Sequence, residues 1–315
     1  MSGHAVRRSR QRRARTTTIG FNSTSAYRMT CMNRILVIGA TGNVGHEVVS
    51  QLVATGAQVR TLTRNPDAAG LPQQVDVMRG DLTLPDTLDA CLDGIDTVFL
   101  VWVAPPATIA AVLERIAKHA RRIVFLSAPL KTAHPLFQQP NPFREVTAQM
   151  ERLIESSGLQ WTFLRPGMFA ANALRWWAPQ IRAGNVVRWP YVSVPTAPID
   201  ERDIAAVAVR ALCEEGHARA EYVLTGPQSL SQAEQVLTIG QVIGRSLRIE
   251  EISPEEARRE LLAIMPASVI NMLLDAWAAG IGQPAFVTST VAEITRAPAR
   301  TFLDWTTDHA AAFRG

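Results

Sequence analysis

RILVIGATGNVGHEVV, residues 34–49, joins a short apolar run to a helix through three glycines. Ile35-Leu36-Val37-Ile38 reads as a strand buried on both faces. Val44, Val48 and Leu52 then recur at four-residue spacing and mark one side of a helix. Between them, Gly39 permits a tight turn, Gly42 lets backbone approach a pyrophosphate, and Gly45 lets the helix pack closely on the strand. The start of that helix offers free N–H groups and positive potential to phosphates. This strand–turn–helix setting predicts a dinucleotide site at Gly39, Thr41, Gly42, Asn43, Val44 and Gly45; a ligand-free turn is the bland alternative.

The pattern repeats outward from there. Strands are expected at 58–63, 75–78, 97–101, 122–126 and 161–164, separated by helices at 84–92, 106–120 and 142–157. Such alternation implies βαβ units and a parallel sheet covered on both faces: an α/β, Rossmann-type doubly wound fold. Beyond Pro166 the rhythm breaks at Trp176-Trp177, Trp189-Pro190-Tyr191 and a run of spaced prolines. The remainder reads as mostly helical, with a strand near Tyr222-Val223-Leu224. The expected organisation is a nucleotide-binding part over about 32–166 and a smaller C-terminal substrate lobe over about 167–315.

Composition sets the class. The chain has 315 residues, 47% of them apolar and 19% charged, as in a globular protein with a substantial core. Its net charge of +4 is local: residues 1–31 hold seven Arg and no Asp or Glu, so the remainder carries −3. That basic tail reads as a solvated arm, or as an over-long start with Met29 or Met32 as the true beginning; a nucleic-acid arm and a transit peptide are the alternatives. No apolar run reaches the ~18 residues of a membrane helix. Cys31, Cys91 and Cys213 are scattered, without CxxC spacing, and predict neither a disulfide framework nor a zinc site; a reducing cytoplasm is expected. The six His form no ligand pair, so no metal is expected. The slightly acidic domain, with no helix-turn-helix or finger signature, disfavours nucleic acid as a partner.

Further candidates lie at strand ends. Arg64 ends the second strand where an acidic residue would select NAD, so it points to NADP(H) through a 2′-phosphate; an exposed strand-end Arg is the alternative. Asp81 and Leu82 follow the third strand and suit adenine, although Asp81 equally suits a helix cap. Ser127, at the end of the fifth strand, is placed to polarise a substrate carbonyl or simply to form the turn before Pro129.

Together these motifs, with Ser157-Gly158-Leu159, Leu164-Arg165-Pro166-Gly167, Ile199–Ala205 and Leu224-Thr225-Gly226-Pro227, resemble the NmrA-like group of extended or atypical short-chain dehydrogenases/reductases over about residues 33–315. The resemblance implies NAD(P)H at the glycine turn, near Pro166, and a small-molecule cleft beneath the C-terminal lobe. Catalytic members of the wider family carry a Tyr acid/base and a Lys four residues later; aligning on Glu151 puts Phe143 and Thr147 there. No Tyr-x-x-x-Lys occurs anywhere in the chain. Phe143 shares a helical face with Val146, Met150, Leu153 and Ile154 and is expected to pack inward, with a place beside the nicotinamide as the alternative. Lys131 and His134, in the loop after Ser127, are the nearest candidate proton donors, and Trp176, Trp177 and Trp189 are candidate walls of an aromatic pocket. The expected function is NADPH-dependent hydride transfer to a small aromatic or quinone-like carbonyl compound. The alternative is a non-catalytic NADP(H) sensor acting on a protein partner.

Overall fold

The computed structural model describes Met1 and residues 31–141 and 143–314. The expected basic tail, 1–31, therefore falls outside the described residues except at its two ends.

Seven parallel strands form the central sheet: β1 (Arg34–Ile38), β2 (Gln58–Thr63), β3 (Asp76–Arg79), β4 (Thr97–Leu100), β5 (Arg122–Leu126), β6 (Gln160–Pro166) and β7 (Ala220–Leu224). Their spatial order is β3-β2-β1-β4-β5-β6-β7, a Rossmann-type α/β arrangement in which the order reverses between β1 and β4. The fully apolar reading of β1 follows from two-sided burial. Ile35 and Val37 pack against the layer of α1 (Asn43–Thr55), whereas Leu36 and Ile38 pack against that of α2 (Ile109–His119) and α3 (Arg144–Ser156). The remaining helices used below are α4 (Asn172–Trp176), α5 (Glu201–Cys213) and α6 (Ala267–Ala279).

The chain beyond Pro166 divides between two tasks. α5 returns to the α1 face of the sheet, and β7 pairs in parallel with β6, Leu164 opposite Tyr222. Thus the strand expected near residue 222 is the seventh strand of the main sheet. The other C-terminal segments, α4, α6 and the helices around Val236, Ala257 and Trp305, share a separate apolar core with Trp177, Trp189 and Trp277. That lobe sits over the carboxyl end of the strands.

One expectation is corrected. Cys31 and Cys213 are joined by a disulfide, where the sequence predicted none. They lie 182 residues apart, so no spacing pattern announces them. The fold brings them together by packing the end of α5 beside the segment that enters β1, where Asn33 Nδ2 also donates to the Leu212 carbonyl at 3.0 Å. Cys91 is a buried free thiol, pushed above its ordinary pKa by desolvation. Among the described residues, no helix is long and apolar enough to cross a membrane, and no group of three or more His, Cys, Asp or Glu is placed to hold a metal.

Candidate active site

The glycine turn leaves β1 at Gly39, whose φ of +92° is a left-handed conformation that suits glycine. A side chain at Gly45 would place its Cβ 2.1 Å from the Gly39 carbonyl oxygen, so α1 reaches the turn only because position 45 lacks one. Val44 is buried in the α1 layer, whereas Thr41, Gly42 and Asn43 face solvent. α1 is preceded by Gly42 at its cap position, with no side-chain cap and no acidic residue in its first turn. Its orphan N–H groups therefore have no side-chain acceptor of their own, which is what an anionic pyrophosphate requires.

Arg64 is exposed directly after β2, and among the described residues no carboxylate lies within 4.0 Å of its guanidinium. Asp81 is half-buried just beyond the end of β3. Its Oδ1 accepts from Thr83 N–H at 2.8 Å, so the carboxylate closes its own turn and caps no helix. Hydrogen bonds from Thr83, backbone first, hold the Asp81 carboxyl below its ordinary range, and the nearby Arg64 charge adds to this. Leu82 is buried beneath the turn. If Arg64 meets a 2′-phosphate, Arg64→Asp should weaken NADPH about 10- to 100-fold and spare NADH, as paired titrations would read. Equal loss for both cofactors would contradict the assignment.

Ser127 is 9% exposed at the end of β5, and its hydroxyl donates to Glu151 Oε1 at 2.6 Å. The sequence reading singled out neither Glu151 nor its partner as functional. Glu151 lies on the inner face of α3, 5% exposed; Arg165 projects from β6, 3% exposed, and meets both carboxylate oxygens at 3.0 and 2.9 Å. Arg165 also pairs with Glu221 of β7. Two buried charges are tolerable only as such a paired, hydrogen-bonded unit. A signal existed: an Arg inside the otherwise apolar strand WTFLRP calls for a buried counter-charge. The Ser127 hydroxyl has one O–H to donate, and it donates it in a hydrogen bond to the carboxylate gripped by Arg165. Towards the cleft Ser127 presents lone pairs.

Lys131 lies 3.3 Å from Glu151 Oε2 and 3.5 Å from Glu221 Oε1. The His134 ring caps the short helix that begins at Pro135. Its Nδ1 accepts from Leu136 N–H at 3.3 Å, so Nε2 carries the proton and donates to the Pro284 carbonyl at 3.0 Å. Neither residue lines the cavity between the sheet edge and the C-terminal lobe.

That cavity has a volume of about 490 Å³ and opens where the sheet edge meets the C-terminal lobe. Ser127, Pro129, Pro166 and Gly167 form its sheet side; Phe137 and Phe143 form a second wall; α4 and α6 close it from the lobe. Its surface is largely apolar, as small-molecule sites generally are. Phe143 is a second correction: it stands just before α3, 53% exposed, at the cavity wall rather than packed inward. The inward face of α3 is supplied by Met150, Glu151 and Ile154. Of the three candidate tryptophan walls, only Trp176 lines the cavity; Trp177 and Trp189 lie behind it in the lobe core. Asn172, Arg175 and the apolar face of α6 also line it and carry no sequence motif.

Residues 39–215 match the family described as NAD(P)H-binding. The (4-alkanoyl-5-oxo-2,5-dihydrofuran-3-yl)methyl phosphate reductase of Streptomyces griseus is 38% identical, over 89% of this chain and 99% of its own. The NAD(P)H azoreductase of Xenophilus azovorans is 36% identical over the same shares. The Citrobacter triphenylmethane reductase complexed with NADP(H) has the same fold, with a TM-score of 0.75 at 20% identity over 88% of this chain and 99% of its own. With the glycine turn, the sheet order and the cleft all in place, the chain belongs to the NAD(P)H-binding family.

Proposed function

We propose that the protein is an NADPH-dependent reductase that delivers hydride to a conjugated acceptor needing no acid from the protein. The observation that carries this is the Ser127–Glu151 hydrogen bond at 2.6 Å, in a cleft whose tyrosine position holds Phe143. A simple ketone is a poor hydride acceptor unless its oxygen receives a proton or strong hydrogen bond as charge develops. Here the one side-chain hydroxyl among the described residues lining the cavity already directs its O–H at Glu151. A quinone, an azo group or an unsaturated carbonyl spreads the incoming charge over its own π-system, and water can supply the proton afterwards.

The chain's residues fit the cofactor at the turn and the uncapped start of α1, with Arg64 beside the 2′-phosphate. When bound, the reduced nicotinamide supplies the hydride. Ser127 accepts a hydrogen bond from a donor on cofactor or substrate, and the Glu151–Arg165 pair keeps its hydroxyl turned away from the cleft. Phe143 offers an exposed aromatic face against which a flat acceptor can lie. The apolar walls exclude water and orient the acceptor. The names of the relatives support this acceptor class: one reduces an unsaturated oxo-furan and another an azo compound. No specific observation favours the non-catalytic sensor. An NADPH supply favours the cytoplasmic location expected from the sequence, and free-thiol counts under native conditions would show whether Cys31 and Cys213 are bonded there.

The test is a pH profile of NADPH oxidation with a neutral quinone. With no titrating acid, kcat/KM should stay flat between about pH 6 and 9, and Ser127→Ala, Lys131→Ala and His134→Ala should each remain within about tenfold of the parent. A bell-shaped profile that Lys131→Ala or His134→Ala abolishes would replace this reading with a protein-acid mechanism.

A further inference from the structure

Resting on the reductase reading of this cavity, we propose that its substrate carries an anionic group, a phosphate, sulfonate or carboxylate, seated on Arg175 and Asn172. Both residues lie on α4, three positions apart and so on one side of the helix, and both line the cavity. Arg175 is the only charged side chain among the described residues that line it. Its guanidinium donates to the Ile264 carbonyl, which holds it beside the α6 wall, and among the described residues no carboxylate lies within 4.0 Å of it. A guanidinium has five N–H donors in a planar fork, so most remain for a ligand. Asn172 Nδ2 donates only to the Met168 sulfur, at 3.3 Å, a weak acceptor that a charged oxygen outcompetes.

The surroundings sharpen this preference. Met168, Trp176, Met265 and Leu273 present apolar surface to the same cavity, and among the described residues no Asp or Glu lines it to offset the charge of Arg175. The conjugated body of a substrate matches the apolar walls, and an anion on that body meets Arg175, the one cation among the described lining residues. A cationic substrate meets only repulsion.

The test uses the full-length protein and two probes that cannot be reduced: naphthalene-2-sulfonate and its neutral counterpart 2-naphthamide. Binding is followed by calorimetry and by the protein's tryptophan fluorescence, to which Trp176 in the cavity wall contributes. The sulfonate should bind about tenfold tighter than the amide, with added salt weakening the sulfonate alone. Arg175→Gln should erase the preference while leaving amide affinity unchanged, which also shows the pocket intact, and Arg175→Lys should restore part of it. Equal affinities in the parent protein, a preference that survives Arg175→Gln, or binding of neither probe overturns the proposal. Turnover of a neutral quinone is scored separately. Sulfonate preference without turnover of any acceptor sinks the reductase reading, whereas turnover without the preference sinks only the anion seat.

Discussion

Gly45→Ala should lower NADPH affinity by on the order of 100-fold and destabilise the fold by about 1–3 kcal/mol, the usual scale of overpacking. The added methyl group would sit 2.1 Å from the Gly39 carbonyl oxygen and 2.7 Å from its carbon, both backbone atoms. They cannot swing aside as a flexible side chain would. α1 must back away from the turn, taking with it the N–H groups that face the pyrophosphate. NADPH titration and urea unfolding of the same sample read the two effects. A parent-like affinity would mean the cofactor does not use this turn.

Glu151→Ala should cost about 3–5 kcal/mol of stability, because it leaves Arg165 buried without its main partner. Glu221, still paired with Arg165 from β7, moves the loss towards the lower end of that range. Replacing Glu151 and Arg165 together by Met and Leu should recover much of it, since paired burial is costly and apolar packing is not. Chemical denaturation of the single and double variants measures both values. The same single variant frees the Ser127 hydroxyl to donate into the cleft. Relative to the parent, Glu151→Ala should therefore gain activity on a simple ketone compared with a quinone, and an unchanged ratio would show that the Ser127 proton does not set acceptor choice.

Much of this molecule is written locally and was therefore legible. A strand buried on both faces must be apolar throughout, as Ile35–Ile38 is, and a close strand–helix turn must be glycine at Gly39 and Gly45. These are requirements of one short segment on itself. What escaped notice was set by distant partners. Cys31 meets Cys213 only after α5 has packed on the sheet. β7 joins the sheet after an excursion of more than fifty residues, and the return is invisible to a pattern that repeats every strand and helix. Phe143 matched the inward face of α3 by periodicity, but it lies one residue before the helix begins, where helical phase no longer governs direction. Ser127 was legible as a site residue by its place at a strand end. Its protonation partner was not, because Glu151 and Arg165 meet through two elements that come together only in the folded sheet.

Direct hydride transfer in a cleft without a protein acid leaves an isotopic signature. Protein loaded with NADPH deuterated at the transferable C4 position is mixed with one equivalent of a neutral quinone, and the label is followed by mass spectrometry and NMR. The bound cofactor should be oxidised with a primary isotope effect on the single turnover, and deuterium should leave it in step with quinone reduction; these results would establish direct transfer. Tight NADPH binding with no oxidation by a quinone, an azo compound or an unsaturated carbonyl would contradict it.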